Sequence, residues 1–459
     1  MTGTRELSLW WDQLADERPD ELVARPPLDG DDAADVVVVG AGLTGLWTAY
    51  YLLEADPALD VLVVEREVAG FGASGRNGGW CSALFPQSAS ALAARHGRDA
   101  ALAMRAAMRD TVVEVGGVAA AEGIDCGFAY GGTVTLARSR PQLERIAAEA
   151  ADAAAWGDEI HLLDKAATDD HVRAAGALGG AWTPDCARVQ PVALARGLAR
   201  VVEARGGRIA EGTAARRLSP RAVVTDRGTV RAPFVVRATE AWTAQLPGSH
   251  RDVVPVYSLM IATEPLPAAV WEQIGLDRAQ TFTDGRHLVV YGVRTPDDRL
   301  AFGGRGAPYH LGSTIDPAFD RVDRVYEHLR RELVGLFPVL ADTAVTHTWG
   351  GPLGVPRDWH ASVGLDAETG IGWAGGYVGD GVATTNLAGR TLADLITGAD
   401  TPLVALPWVG HRSPAWEPEP LRWAEITAAR WATTIADGSE ARTGRSSLLA
   451  RMMAPLLGH

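Results

Sequence analysis

Gly40, Gly42 and Gly45 stand at the spacing with which a chain wraps a pyrophosphate. Glu65 stands 20 positions beyond the last of them, where a carboxylate can accept hydrogen bonds from a ribose diol. Gly40 permits a tight turn, Gly42 lets backbone approach the diphosphate, and Gly45 lets a helix lie close on a sheet. Leu43 and Thr44 open that helix, whose unsatisfied N–H groups and positive dipole end suit an anion. An acid at position 65 favours an adenosine ribose without a 2′-phosphate. The elements that position these residues are legible around them. DVVVVG is an unbroken apolar run with the signature of a buried parallel strand, LTGLWTAYYLLEA has helical character, and VLVVE is a second strand. The glycines therefore sit in a βαβ dinucleotide-binding unit, which a bare GxGxxG would not establish.

Two further glycine clusters lie elsewhere. Residues 70–79 hold Gly70, Gly72, Gly75, Gly78 and Gly79 beside Ala73, Ser74, Arg76 and Asn77, with Trp80 following. Glycine this dense admits backbone close to something flat or anionic. Near the C-terminal end, Gly376, Gly379, Asp380, Gly381 and Val382 precede a long helical stretch. One Rossmann turn is enough for a nicotinamide cofactor, so three separated devices point to a flavin. A reduced flavin is negative near N1 and O2, and a helix N-terminus aimed there favours reduction.

The chain has 459 residues, 47% of them hydrophobic, enough for about two to four domains with sizeable cores. Its formal net charge of −14 argues against a nucleic-acid surface, which needs a clustered positive field. Lys165 is the sole lysine among 43 basic residues. Cys81, Cys126 and Cys186 have no paired or metal-ligand spacing, so neither a disulfide framework nor a metal site is expected. The N-terminus lacks a basic and then apolar leader, and no run reaches the ~20 apolar residues of a membrane span. We read the protein as cytoplasmic, with a small-molecule substrate and neither nucleic acid nor membrane as partner.

The pattern along the chain predicts an α/β protein in two interleaved units. A polar lead covers 1–34. Residues 35–90, 185–245 and 345–400 are assigned to a cofactor-binding unit, 91–184 and 246–344 to a substrate-binding unit, and 401–459 to a helical extension. Helices are expected at about 98–122, 140–155 and 318–336. The 253–304 segment reads as antiparallel strands, in which alternation places His287, Val289 and Tyr291 on one face. Tyr257 and Tyr291 are candidate substrate contacts, with ordinary core packing as the alternative. Arg305 suits a substrate carboxylate or a structural ion pair. His310 suits an amine or a capped turn. Trp349, like Trp80, is a candidate wall for a flavin face or a plain buried tryptophan.

These residues together resemble the flavin-dependent D-amino acid oxidase and glycine oxidase (DAO) family, most of all its γ-glutamylputrescine oxidase-like branch. The resemblance rests on GAGLTG with Glu65, GFGASGRNGGW at 70–80, FVVRATEAW at 234–242, PVYSLMIATEPL at 255–266 and GGYVGDGV at 375–382. It spans nearly the whole chain. It implies a glutathione-reductase-like Rossmann FAD domain with an antiparallel-sheet substrate domain. By the same match Ser74, Arg76, Asn77, Gly78 and Gly79 contact FAD, Arg66 lies near the adenosine, and the strand around Ala215 passes the adenine. The implied activity is oxidation of an amine or amino acid C–N bond by hydride transfer to flavin N5. Water then hydrolyses the imine, and oxygen reoxidises the flavin to give hydrogen peroxide.

The chain also departs from relatives. WGGPLGVP at 349–356 lacks the cysteine that links FAD covalently in sarcosine oxidase-like proteins, and GASGRNGGW lacks the linking histidine of dimethylglycine-type ones. FAD is therefore expected to be bound non-covalently. Ala301 stands where such relatives place a lysine that promotes oxygen reduction, so either another cation such as Arg305 assists or the acceptor is not oxygen. A dehydrogenase and a non-catalytic flavin-binding protein remain the alternatives. An aromatic-ring hydroxylase is disfavoured, because GYVGDGVATT lacks that class's GDAAH-like signature.

Overall fold

Val36–Val39 and Val61–Val64 are completely buried four-residue runs of branched residues, and they form the middle of a six-stranded sheet. The computed structural model describes residues 2–304 and 308–447. The sheet order is Arg208–Ala210, Val61–Val64, Val36–Val39, Phe234–Arg237, Ile371–Gly375 and Ser362–Asp366; the first five are parallel and the last is an antiparallel edge. Strands with both faces covered need unbroken apolar sequence, which these have. Helices Leu43–Ala55 and Pro191–Ala204 are buried along most of their length beside the sheet. Helix Gly381–Thr397 packs on Leu43–Ala55 so closely that a Cβ on Gly389 would lie 2.6 Å from Trp47 Cβ.

A second sheet has eight strands in the order Val345–Val355, Val254–Thr263, Leu300–Gly304, Val290–Arg294, Thr281–Asp284, Thr133–Ala137, Gly179–Thr183 and His161–Leu163. Helix Asp323–Leu336 covers it through Tyr326, Leu329, Leu333 and Leu336. A four-stranded sheet includes Ala215–Ser219, and a three-stranded one joins Trp80–Ser82 to Cys186–Arg188 and Ala129–Tyr130. Helix Leu9–Glu17 of the lead buries Leu9, Trp10, Trp11 and Leu14 in the main core. No helix among the described residues is long and apolar enough to cross a membrane.

Several expectations change. The eight-stranded sheet is not purely antiparallel, because Thr281–Asp284 runs parallel to Thr133–Ala137. Residues 345–355, assigned from sequence to the cofactor unit, pair along the ten-residue strand Val254–Thr263 of the eight-stranded sheet, where a register shift near Thr263 takes up the eleventh residue. The 318–336 helix begins only at Asp323, after a 3-10 turn at Pro317–Asp320. Alternation through His287 and Val289 also fails, since the strand starts at Val290. The His287 backbone N–H donates to Asp437 of the C-terminal helix Leu421–Thr443 (2.9 Å).

Gly389→Ala is expected to destabilise the apoprotein by about 1–3 kcal/mol, as other overpacked cores are, lowering the urea midpoint. Gly117→Ala is the control on the exposed face of helix Arg98–Ala121, where a Cβ meets nothing within 4 Å. It should instead raise the midpoint, through a stabilisation of about 0.5–1 kcal/mol.

Candidate active site

The first glycine cluster is built as a close-approach turn. Gly40 has φ of 107°, and a Cβ there would lie 2.5 Å from the Ala238 carbonyl oxygen; one on Gly45 would collide with the Gly40 carbonyl. A Cβ on Gly42 would meet Ser74 Oγ at 3.0 Å. That hydroxyl accepts the Leu43 N–H (2.8 Å), so the second cluster is tied to the start of the helix that the first one opens. Glu65 accepts the Ala41 N–H (2.8 Å) on one carboxylate oxygen and the Glu67 N–H (2.9 Å) on the other. Burial pushes its pKa up to about 7 against the pull of those amides.

The 70–80 loop is fixed from within and from behind. Asn77 donates to the Ala73 (3.1 Å) and Ser74 (3.0 Å) carbonyls and accepts the Gly79 N–H (2.9 Å). From the lead, Ser8 Oγ donates to the Gly75 carbonyl (2.7 Å) and Trp10 Nε1 to that of Asn77 (2.8 Å). Trp349 Nε1 donates to the Arg76 carbonyl (3.0 Å) and its ring meets Trp10 edge-on at 6.2 Å. Trp349 thus braces the loop. Sequence reasoning missed Ser8 and Trp10, although the apolar LSLWW knot in a polar lead was a visible signal.

These segments enclose a cavity of about 330 Å³. Gly40, Gly42, Leu43, Thr44, Glu65, Arg66, Gly72, Ala73, Ser74, Asn77, Ala215, Gly379, Gly381 and Val382 all line it. Phe71, Trp242, Pro352, Leu353, Tyr377 and Glu240 also line it and were not singled out from sequence. Tyr377 has its hydroxyl 2.9 Å from Thr44 Oγ1, joining the third cluster to the first. Gly45, Arg76, Gly78, Gly79, Trp80, Gly376 and Asp380 are not among the lining residues; Asp380 is the N-cap position of helix Gly381–Thr397.

Arg76 instead turns toward the eight-stranded sheet. Its guanidinium pairs with Asp320 (2.7 Å), donates to the carbonyls of Phe71 (3.0 Å) and Gly350 (3.3 Å), and lies 4.5 Å from the Phe71 ring centroid. Burial pushes the Asp320 carboxyl up to about 6 and Arg76 opposes it. The Tyr257 hydroxyl accepts the Asp316 N–H (3.3 Å), and burial raises its pKa to about 12. The His310 ring stacks on Phe319 at 3.4 Å and meets Tyr257 edge-on at 5.6 Å; burial lowers its pKa, so it is neutral. Asp320 Oδ1 and His310 Nε2 are buried without a hydrogen-bond partner among the described residues. Tyr291 bonds Ser258 Oγ (2.8 Å), meets Trp80 edge-on at 5.9 Å, and lies where a Cβ on Gly78 would stand 2.9 Å from its ring. Arg305 lies outside the described residues.

A bare-backbone turn, a ribose-facing acid and two further glycine segments on one cavity match a flavin dinucleotide, and comparison with known proteins agrees. The sequence model of the DAO family, described as FAD dependent oxidoreductase, matches residues 35–395. The chain belongs to that family. It is 30% identical over 402 residues to a probable oxidoreductase OrdL of Rhizobium meliloti, covering 86% of this chain and 89% of the relative. It is also 30% identical over 370 residues to the γ-glutamylputrescine oxidoreductase of Escherichia coli, covering 79% and 84%. Among solved structures, glycine oxidase from Geobacillus kaustophilus superposes with a TM-score of 0.70 at 22% identity, over 83% of this chain and 99% of that one, which shows the shared fold. This DAO protein is therefore an FAD-dependent oxidoreductase. The cradle at Gly40 and Gly42, which any side chain would fill, fits the dinucleotide, and Glu65 is the residue that would hold its ribose.

Glu65→Ala is expected to weaken FAD binding roughly 10- to 100-fold, the loss of a charge-assisted hydrogen bond plus loosened turn amides. Fluorescence titration of the apoprotein with FAD measures it.

Proposed function

We propose that the protein oxidises the C–N bond of a small amine or amino acid, with FAD held non-covalently and oxygen as the electron acceptor. Bound FAD supplies the two-electron acceptor. The chain's own residues must bind the donor as a neutral amine and hold its C–H bond toward the cofactor, which needs orientation more than acid–base machinery. The observation that carries this reading is the cluster of Arg76, Asp320, Tyr257 and His310 between the 70–80 loop and the eight-stranded sheet. Its buried, unpartnered Asp320 Oδ1 is an acceptor suited to an amine N–H, and neutral His310 offers a second polar atom without adding charge. Tyr291 and Trp80, which pack against Gly78 of the same loop, would limit the room beside it.

Further support comes from relatives: besides the γ-glutamylputrescine oxidoreductase, a 4-methylaminobutanoate oxidase from Paenarthrobacter nicotinovorans is 22% identical over 382 residues. Non-covalent attachment is supported by the three cysteines, all buried, none of which lines the cavity. The division into an FAD unit and a substrate unit, and a cytoplasmic location, belong to the same proposal. Lys165 is exposed, pairs with Asp169 and does not line the cavity, so oxygen reduction would rely on another cation.

The test is an anaerobic spectrum of the yellow protein against a panel of amines, amino acids and N-methyl analogues, followed by readmission of oxygen and assay of peroxide. Bleaching by a member of the panel is expected. Flavin that stays oxidised with all of them favours the non-catalytic reading, and bleaching without reoxidation favours a dehydrogenase. With a donor in hand, kcat/KM should rise with pH through an inflection near 6 as Asp320 ionises. Asp320→Asn should remove that inflection and lower kcat/KM by roughly tenfold or more, corresponding to about 1.4 kcal/mol or more of lost transition-state binding.

A further inference from the structure

Glu240 lies in the cavity wall just after the strand Phe234–Arg237, in a backbone conformation that favours glycine, with φ of 43°. Its side chain explains why a larger residue is held there. Glu240 Oε2 accepts the Gly354 N–H (2.5 Å), and the backbone amides of Gly376, Tyr377 and Ala241 favour its ionised form. A Cβ on Gly354 would lie 2.7 Å from Glu240 Oε2, so glycine there leaves room for the carboxylate in this position. Three wall segments thus meet on one side chain: the turn after the nucleotide-sheet strand, the edge strand Val345–Val355 of the other sheet, and the third glycine cluster. The same wall includes Pro352, Leu353, Tyr377 and Gly379. The groups from Gly354, Gly376, Tyr377 and Ala241 are all backbone amides, so they favour a carboxylate without neutralising its charge.

We propose that Glu240 is a positioning residue for the cofactor, whose carboxylate clasps three walls of the cavity and sets one negative charge against the bound flavin nucleotide. The titratable groups on the elements packed against it are Tyr377 and Asp380 on the glycine cluster and Tyr257 and His347 on the two neighbouring strands. Glu65, Glu67, Arg66 and Arg216 line other parts of the cavity. Tyr377 stays protonated, because burial raises its pKa first and the charge of Glu240 raises it further, against the Thr44 contact. Burial opposes the ionised form of Glu240 while the amides favour it, and the balance lies at about 7. The clasp is therefore neutral on the acid side of that value and anionic above it. A fixed negative charge beside a group that must take up electrons lowers its reduction potential, and a neutral side chain relieves that effect.

The experiment needs no substrate, so it stands apart from the amine assignment. FAD affinity of the apoprotein and the spectroelectrochemical potential of the holoprotein are measured across pH for wild type, Glu240→Gln and Glu240→Ala. Loss of the clasp in Glu240→Ala is expected to weaken FAD binding roughly tenfold or more. Glu240→Gln should have a higher potential than wild type above about pH 8 and converge with it below about pH 6, where both side chains are neutral. Wild-type affinity in Glu240→Ala, or superimposable potential curves for Glu240→Gln and wild type, overturns the proposal. Should neither variant retain FAD, the wild-type holoprotein decides: its curve must gain an additional break near pH 7, and its absence overturns the assignment.

Discussion

Everything in this molecule follows from the need to lay bare backbone against one anionic, partly flat ligand from several directions at once. A peptide N–H can reach a diphosphate only where no Cβ intervenes, and a helix offers free N–H groups only at its first turn. The turn at Gly40 and Gly42 meets both demands, and the Ser74 hydroxyl, taking the Leu43 N–H, locks the second glycine cluster to it. Tyr377 does the same for the third cluster through Thr44. Glycine supplies access but no rigidity, so the side chains around it must supply the order. Asn77, Trp10, Ser8 and Trp349 do this for the 70–80 loop by hydrogen bonds to its backbone.

The two sheets divide the chemical labour. The six-stranded sheet is a stack of buried valine-rich strands whose ends deliver the cradle. The eight-stranded sheet brings Tyr257, Ser258 and Tyr291 to the side of the 70–80 loop, and Pro352 and Leu353 into the cavity wall itself. Arg76 crosses between them: carried on the cofactor loop, it pairs with Asp320 from the turn that precedes helix Asp323–Leu336. A buried ion pair of this kind contributes little net stability, since desolvation offsets its attraction, but it fixes relative position. The same logic applies at Glu240, where a carboxyl inside the wall is held by amides from three directions.

The C-terminal stretch serves the periphery of this arrangement. Glu417 pairs with Arg357 (2.9 Å), and Glu419 accepts from the Tyr309 hydroxyl (2.6 Å) and from Arg422 (3.1 Å). Further along, Glu440 pairs with Arg145 (2.8 Å), Glu440 bonds His287 (3.2 Å), and Asp437 takes the His287 backbone N–H. Both ends of helix Leu421–Thr443 are thereby fastened to segments that flank strands of the eight-stranded sheet and to helix Arg140–Ala155, which accounts for the acidic EPEP run without assigning it chemistry.

The nucleotide unit was legible in sequence because its requirements are local: glycines at fixed offsets, a buried valine run and an acid at the end of the next strand all lie within about thirty residues, the size of a βαβ unit. The second and third glycine clusters were legible as composition, and their convergence was inferred. Pairing of the sheets was not, because hydrogen bonding between strands distant in sequence leaves no mark on either one. That residues 345–355 lie along Val254–Thr263 could be read from neither segment. Arg76 reads as a cofactor contact; that its guanidinium pairs with an acid 244 positions later left no mark near it. Asp320 carried no local pattern at all, and Glu240 and Tyr377 stood inside quoted motifs without a feature that set them apart. The amino-acid sequence by itself determined which backbone could come close to a dinucleotide, since that depends on where Cβ atoms are missing; only the tertiary structure decided which side chains would enclose it, since burial and charge pairing arise from neighbours that the chain meets only once folded.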